Sequence, residues 1–243
     1  MKASLLAGFT VVLSCGAGFA AAPPVYWDVD ANGCKFASTA PVDTTQPTFV
    51  FTGKCVDGLV SGPGEVMLLD GSRTLWIGDF QQGRLVKGAS ESADGTYQGE
   101  FRDNTAHGHG TITFIDGSTF KGRFENGAPA GNTGEITIPG AGRYAGGLNM
   151  RGLVPNGRGI MYYTNGSILV GEFKDGMEAV GTLKLADGTV AQGTFRNNQF
   201  AGGKVSAADG RQFEVDLRTG AVVELLKDGT KQSLDALPEN IPL

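Results

Sequence analysis

Tyr97-Gln98-Gly99-Glu100-Phe101 opens the stretch that decides the fold, which runs on through His107-Gly108-His109-Gly110 to Asp116-Gly117. Tyr97, Gly99 and Phe101 alternate with Gln98 and Glu100, and a period of two is that of a half-buried strand. Two rings then share a face with a glycine between them, where backbone or a neighbouring ring can approach closely. Asn104 follows, a residue that accepts positive φ. A second alternating run ends at Asp116-Gly117, and Asp-Gly between such runs is a strong hairpin signal. The stretch predicts two short strands and two turns.

The same pattern recurs along the chain. Copies are Phe51-Thr52-Gly53-Lys54-Cys55, Trp76-Ile77-Gly78-Asp79-Phe80, Phe120-Lys121-Gly122-Arg123-Phe124 and Tyr144-Ala145-Gly146-Gly147-Leu148. Leu169-Val170-Gly171-Glu172-Phe173, Ala191-Gln192-Gly193-Thr194-Phe195 and the degraded Phe213-Glu214-Val215-Asp216-Leu217 continue the series. Unit starts at 51, 76, 97, 120, 144, 169, 191 and 213 lie 21 to 25 residues apart. Turn markers fall at Gly58, Gly83, Asn104, Gly127, Gly176, Asn198 and Gly220. The unit at Tyr144 departs, with Gly152 one place late and an insertion around Pro155. Tight closing turns are expected at Asp70-Gly71, Asp94-Gly95, Asp116-Gly117, Asn165-Gly166, Asp187-Gly188, Asp209-Gly210 and Asp228-Gly229, with Pro139-Gly140 in the unit at Phe120.

The order aromatic-x-Gly-x-Phe, turn Gly, Gly-x-Gly, Asp-Gly resembles the MORN (membrane occupation and recognition nexus) repeat, closest in the Tyr97 unit. The resemblance covers roughly residues 51 to 217. It implies an all-β fold, an elongated, twisted, single-layer antiparallel meander of about eight β-hairpin repeats with a concave, aromatic-lined side. It also implies service as a scaffold, a dimerisation module or a membrane-associated module. Residues 51–229 form the expected array, preceded by an N-terminal cap and a Thr/Pro-rich linker (21–50) and followed by a tail (230–243). Tyr26, Trp27 and Phe36 are expected to cap the first hairpin, because a terminal repeat must shield an open edge.

Composition agrees with an ordered repeat. Glycine makes up 39 of 243 residues, about 16% against an average near ~7%, without the period of three that collagen requires. With 40% hydrophobic residues and a net charge of only -5, the glycines sit in an ordered chain. Lys121, Arg123, Arg158, Lys174 and Arg196 are scattered singly, which argues against a nucleic-acid partner. Lys2, the apolar stretch Leu5 to Phe19 and the small residues Ala20 to Ala22 read as an export signal cleaved after Ala20. An alternative is the lipobox-like Val12-Leu13-Ser14-Cys15-Gly16, in which Cys15 is lipidated. Either way the expected location is the periplasm, the exterior or the envelope. Cys34 and Cys55 then remain as an even pair in an oxidising compartment, expected to form a disulfide that pins the cap to the first hairpin. The alternative is two free thiols.

No constellation for catalysis emerges. His107 and His109 are the only histidines and fall on the repeat's return strand. The turn aspartates offer one carboxylate per loop, whereas calcium needs several oxygen ligands. No enzyme activity, cofactor or metal is expected. The aromatic row is the candidate binding surface, with Trp76, Tyr97, Phe101, Phe120, Phe124, Tyr144, Phe173 and Phe195 flooring a groove. The expected partner is a protein or peptide; membrane lipid, cell-wall carbohydrate and homodimerisation are the alternatives. Tyr97 and Tyr144 carry hydroxyls that an apolar core does not need, and these are expected to reach the groove surface.

Overall fold

The computed structural model describes residues 25–38, 45–72, 74–176, 178–197, 199–239 and 241. The expected export segment, Cys15, the turn residue Asn198 and linker residues 39–44 lie outside them. The described residues are all-β, forming twenty strands joined by turns. The chain divides into two units, one ending at Gly131 and the other starting at Asn132.

In the first unit, β1 (Tyr26–Val29) and β2 (Lys35–Ser38) form a hairpin ahead of the repeats. Next come β3 (Phe49–Phe51), β4 (Lys54–Val56) and β5 (Leu59–Leu68), then the meander β6 (Leu75–Gln81), β7 (Arg84–Ser92), β8 (Gly95–Arg102), β9 (Thr105–Phe114) and β10 (Thr119–Glu125). Each of β5 to β9 pairs antiparallel with its successor. The second unit has its own meander, in which β11 (Ala128–Ile138) pairs over Thr133–Ile138 with β12 (Gly142–Asn149). It proceeds through β13 (Val154–Tyr163), β14 (Ile168–Lys174), β15 (Glu178–Lys184) and β16 (Val190–Arg196). It then runs through β17 (Gln199–Ser206) and β18 (Gln212–Asp216), and ends with β19 (Ala221–Leu225) and β20 (Lys231–Leu234).

The repeat glycines explain the register. Gly64, Gly78, Gly88, Gly99, Gly110 and Gly122 pair across successive strands of the first unit. Gly134, Gly146, Gly159, Gly171, Gly181, Gly193 and Gly203 do so in the second. Rings lie over some of these bare positions, and at others the facing backbone comes close. A side chain on Gly110 would run into the Tyr97 ring, and one on Gly159 into that of Tyr144. A single layer thus gains a core: Phe80, Phe120 and Phe124 in the first unit, and Tyr144, Phe195 and Phe213 in the second, are almost wholly buried.

The two kinds of turn exchange roles relative to the sequence expectation. The tight two-residue turns sit at Asp57-Gly58, Gln82-Gly83, Asp103-Asn104, Asn126-Gly127 and Asp175-Gly176, where both residues have positive φ. That is the type I′ geometry favoured by hairpin twist. Asp116-Gly117, Asn165-Gly166, Asp187-Gly188, Asp209-Gly210 and Asp228-Gly229 instead close three-residue loops, while Asp70-Gly71 lies in a longer one and Ser92 pairs directly with Gly95. Phe114 N donates to Ser118 O (2.9 Å) and Gly117 N to Phe114 O (2.9 Å), with Gly117 alone at positive φ. The aspartate serves the loop through its side chain, accepting from the amide two residues on, as in Ser118 N to Asp116 (2.9 Å) and Thr189 N to Asp187 (2.8 Å). Hydrogen bonds from Ser72, Ser118 and Thr230 hold the Asp70, Asp116 and Asp228 carboxyls below the usual range. In the irregular unit the left-handed residue is Leu153 (φ 48), not the expected Gly152. The shift arises from a break in register between Gly146 and Leu148.

The I′ turns also stack. Gly83 N donates to Val60 O (3.1 Å), Gly127 N to Ala106 O (3.0 Å) and Gly176 N to Pro155 O (2.9 Å). Strand β2 extends this stacking at the start of the first unit. Lys35 N donates to Gly58 O (2.9 Å) and Ala37 N to Gly83 O (2.8 Å). Asn104 Nδ2 donates to Ala37 O (2.6 Å) while its Oδ1 accepts from Leu85 N (2.6 Å). Phe36 wedges between Phe49, Trp76 and Phe80, with ring centroids 5.8, 5.1 and 6.0 Å away. Cys34 and Cys55 are joined by a disulfide that ties this hairpin to β4.

Candidate functional site

The eight aromatic candidates occupy one repeated environment. Seven are buried: Tyr97, Phe101, Phe120, Phe124, Tyr144, Phe173 and Phe195. Trp76 is half-buried. They pack on one another, with Tyr97 4.8 Å from Phe124 and 5.0 Å from Phe101, Phe120 5.4 Å from Phe124, and Tyr144 5.0 Å from Phe173. Phe195 pairs with Phe200 at 5.4 Å.

The expectation for the tyrosine hydroxyls is corrected. Tyr97 donates to Glu100 O (2.9 Å) and to His107 O (3.3 Å); Tyr144 donates to Gly147 O (2.9 Å). Each bond closes the strand region just beyond the glycine row, so the hydroxyl serves the fold. Burial, with the Glu100 charge second, pushes the Tyr97 phenol up to about 12, and burial raises Tyr144 as well. Tyr97→Phe is therefore expected to cost about 1 kcal/mol, a typical net hydrogen-bond contribution. A urea midpoint unchanged from wild type would show that solvent replaces the bond.

Four of the eight candidates converge. Trp76, Tyr97, Phe101 and Phe124 line a cleft of about 250 Å³ in the first unit, together with Ser90, Asn104, Ile112 and the mouth residues Glu91, Ser92 and Asp94. The cleft has a simple cause. Across the paired strands the ring row reads Val66, Trp76, Ser90, Tyr97, Ile112, Phe120. In the second unit it reads Ile136, Tyr144, Met161, Leu169, Leu183, Ala191, Val205, Phe213. The return-strand place holds Val66, Ile112, Ile136, Met161, Leu183 and Val205 in the regular repeats, and Glu224 opposite Phe213 in the degraded last one. Among the regular repeats Ser90 alone is polar there, and its small side chain leaves the gap between Trp76 and Tyr97. Sequence reasoning missed Ser90, although aligning the return strands exposes it.

Both histidines lie on β9. His107 lies opposite Glu100 and His109 opposite Arg123, with the register broken after Gly99. The Glu100 carboxylate accepts from His109 N (3.2 Å). Among the described residues no three His, Cys, Asp or Glu side chains gather to hold a metal.

Fold and register define a β-hairpin repeat protein. The MORN repeat model matches residues 97–119, 154–168 and 170–190, and the chain carries MORN repeats in both units. No curated protein matches the sequence. Among solved structures it is similar to the TCP domain of Drosophila melanogaster SAS-4 in complex with a proline-rich motif of Ana2. That likeness has 12% identity and a TM-score of 0.36, over 81% of this chain and 95% of the other. It is also similar to the wild-type TCP10 domain of Danio rerio CPAP in complex with a peptide of Danio rerio STIL. There the identity is 16% and the TM-score 0.31, over 74% of this chain and 86% of the other.

Proposed function

We propose that this chain is an exported, non-catalytic interaction module that seats a segment of a partner protein in the cleft between Trp76 and Tyr97. The carrying observation is the vacancy at Ser90. In the other regular repeats an aliphatic side chain takes this place; here the row opens onto an aromatic floor with polar groups at its mouth. Apolar walls with a few convergent polar groups are the usual make-up of a recognition site. Export is supported by the apolar stretch Leu5 to Phe19 with its small-residue end, and by the Cys34–Cys55 pairing, which suits an oxidising compartment.

Ser90→Ile copies Ile112, which sits between Tyr97 and Phe120 in the next repeat. It is expected to fill the cleft and raise stability by on the order of 1 kcal/mol, as cavity-filling changes do. A photo-crosslinking residue at Ser92, in cells of the native host, should trap a partner protein through wild-type chain and not through the Ser90→Ile form. Equal trapping by both forms, or trapping by neither, would sink the cleft as the partner site.

A further inference from the structure

We infer that the partner segment enters the cleft with a basic side chain, a lysine or an arginine; this rests on the cleft being the partner site. Size is the first argument. At about 250 Å³ the cleft lies below the roughly 300–1,000 Å³ of pockets that enclose whole small-molecule ligands. It suits a single anchoring side chain, the way buried anchors concentrate binding energy in protein interfaces.

Charge is the second argument. Glu91 and Asp94 stand exposed at the mouth, and none of the described residues lining the cleft is a lysine or arginine. Among the described residues neither carboxylate is held in an ion pair within the chain, unlike Glu135, Glu214 and Asp216. An acidic partner segment would meet uncompensated like charge here. The floor supplies the third argument. Trp76 is backed by Phe36, 5.1 Å away, and indole is the best aromatic partner for a cation. A long basic side chain lays its aliphatic stem on rings such as Trp76 and Tyr97 while its charged head stays at the wet mouth.

The test uses random linear peptides displayed on phage, selected on the full chain and counter-selected on Ser90→Ile. Survivors are expected to share a lysine or arginine at one position. Synthetic survivors should bind Glu91→Gln/Asp94→Asn on the order of tenfold more weakly at low salt, with the difference shrinking as salt rises. Both side chains are exposed, so this variant should keep the wild-type circular dichroism spectrum. Survivors without a shared basic residue, or with unchanged affinity for the double variant, overturn the basic anchor while leaving the cleft as partner site. A selection that yields no Ser90-dependent peptide overturns the cleft reading and the anchor together.

Discussion

Replacing Cys34 and Cys55 together with serine is expected to cost about 3 kcal/mol of stability, the chain-entropy value for a loop of this length. The bridge spans 21 residues of separation and joins a buried cysteine, Cys34, to an exposed one, Cys55. Its local effect should exceed its global one, because hairpin repeats are held mainly by their neighbours. The β1–β2 hairpin is joined to the array by few backbone bonds, chiefly Lys35 N to Gly58 O and Ala37 N to Gly83 O. Hydrogen exchange should show those two amides losing protection first, while amides of the β8–β9 pairing change less. A variant that keeps wild-type protection at Lys35 and Ala37 would mean that Phe36 and Asn104 hold the hairpin without the bridge.

Gly122→Val is expected to destabilise the first unit by about 1–3 kcal/mol, the usual range for overpacking. A Cβ at Gly122 would stand 2.5 Å from Cζ of Phe120, a ring with no solvent exposure. That ring has little room to yield, since Phe124 packs 5.4 Å from it. The paired glycine across the strand, Gly110, is itself covered by the Tyr97 ring. Gly152→Ala is the matching control: the nearest atom to its added carbon is Val154 Cγ1 at 3.5 Å. Comparable thermal midpoints for the two variants would refute the role assigned to the glycine row.

Those glycines mark the part of the fold that was plain in the sequence. The recurrence of aromatic-x-Gly-x-Phe fixes strand period, face and unit length at once, because all three depend on local pattern. Most described turns were located correctly, the one at Gly152 excepted, and in most repeats their types were exchanged. Asp-Gly is compatible with a type I′ turn and with the end of a three-residue loop; the choice falls to the side-chain bond from Asp116 to Ser118 N. The tyrosine hydroxyls misled for a similar reason. Their acceptors, Glu100 O and Gly147 O, are backbone atoms close along the chain whose positions depend on register breaks beside the glycine row. The Cys34–Cys55 bridge followed from counting cysteines. The Asn104 contact with Ala37, 67 residues away, had no local signal. Ser90 was legible in principle, yet a cleft made by a missing side chain is seen only when the neighbouring repeats are read in register.

Within each unit the stacked turns and the glycine rows give the regular repeats a shared way of meeting the next one: Gly83 N to Val60 O, Gly127 N to Ala106 O, Gly176 N to Pro155 O. This makes the array modular in heredity. A duplication or deletion of one whole unit of 21 to 25 residues rejoins compatible partners, since glycine again faces glycine and each turn again finds its carbonyl. A one-residue insertion within a strand turns every following ring to the opposite face, because side chains alternate with a period of two. Descendants of such a gene are expected to differ in length by whole repeats, with stray insertions confined to loops like the one around Leu153 and Pro155.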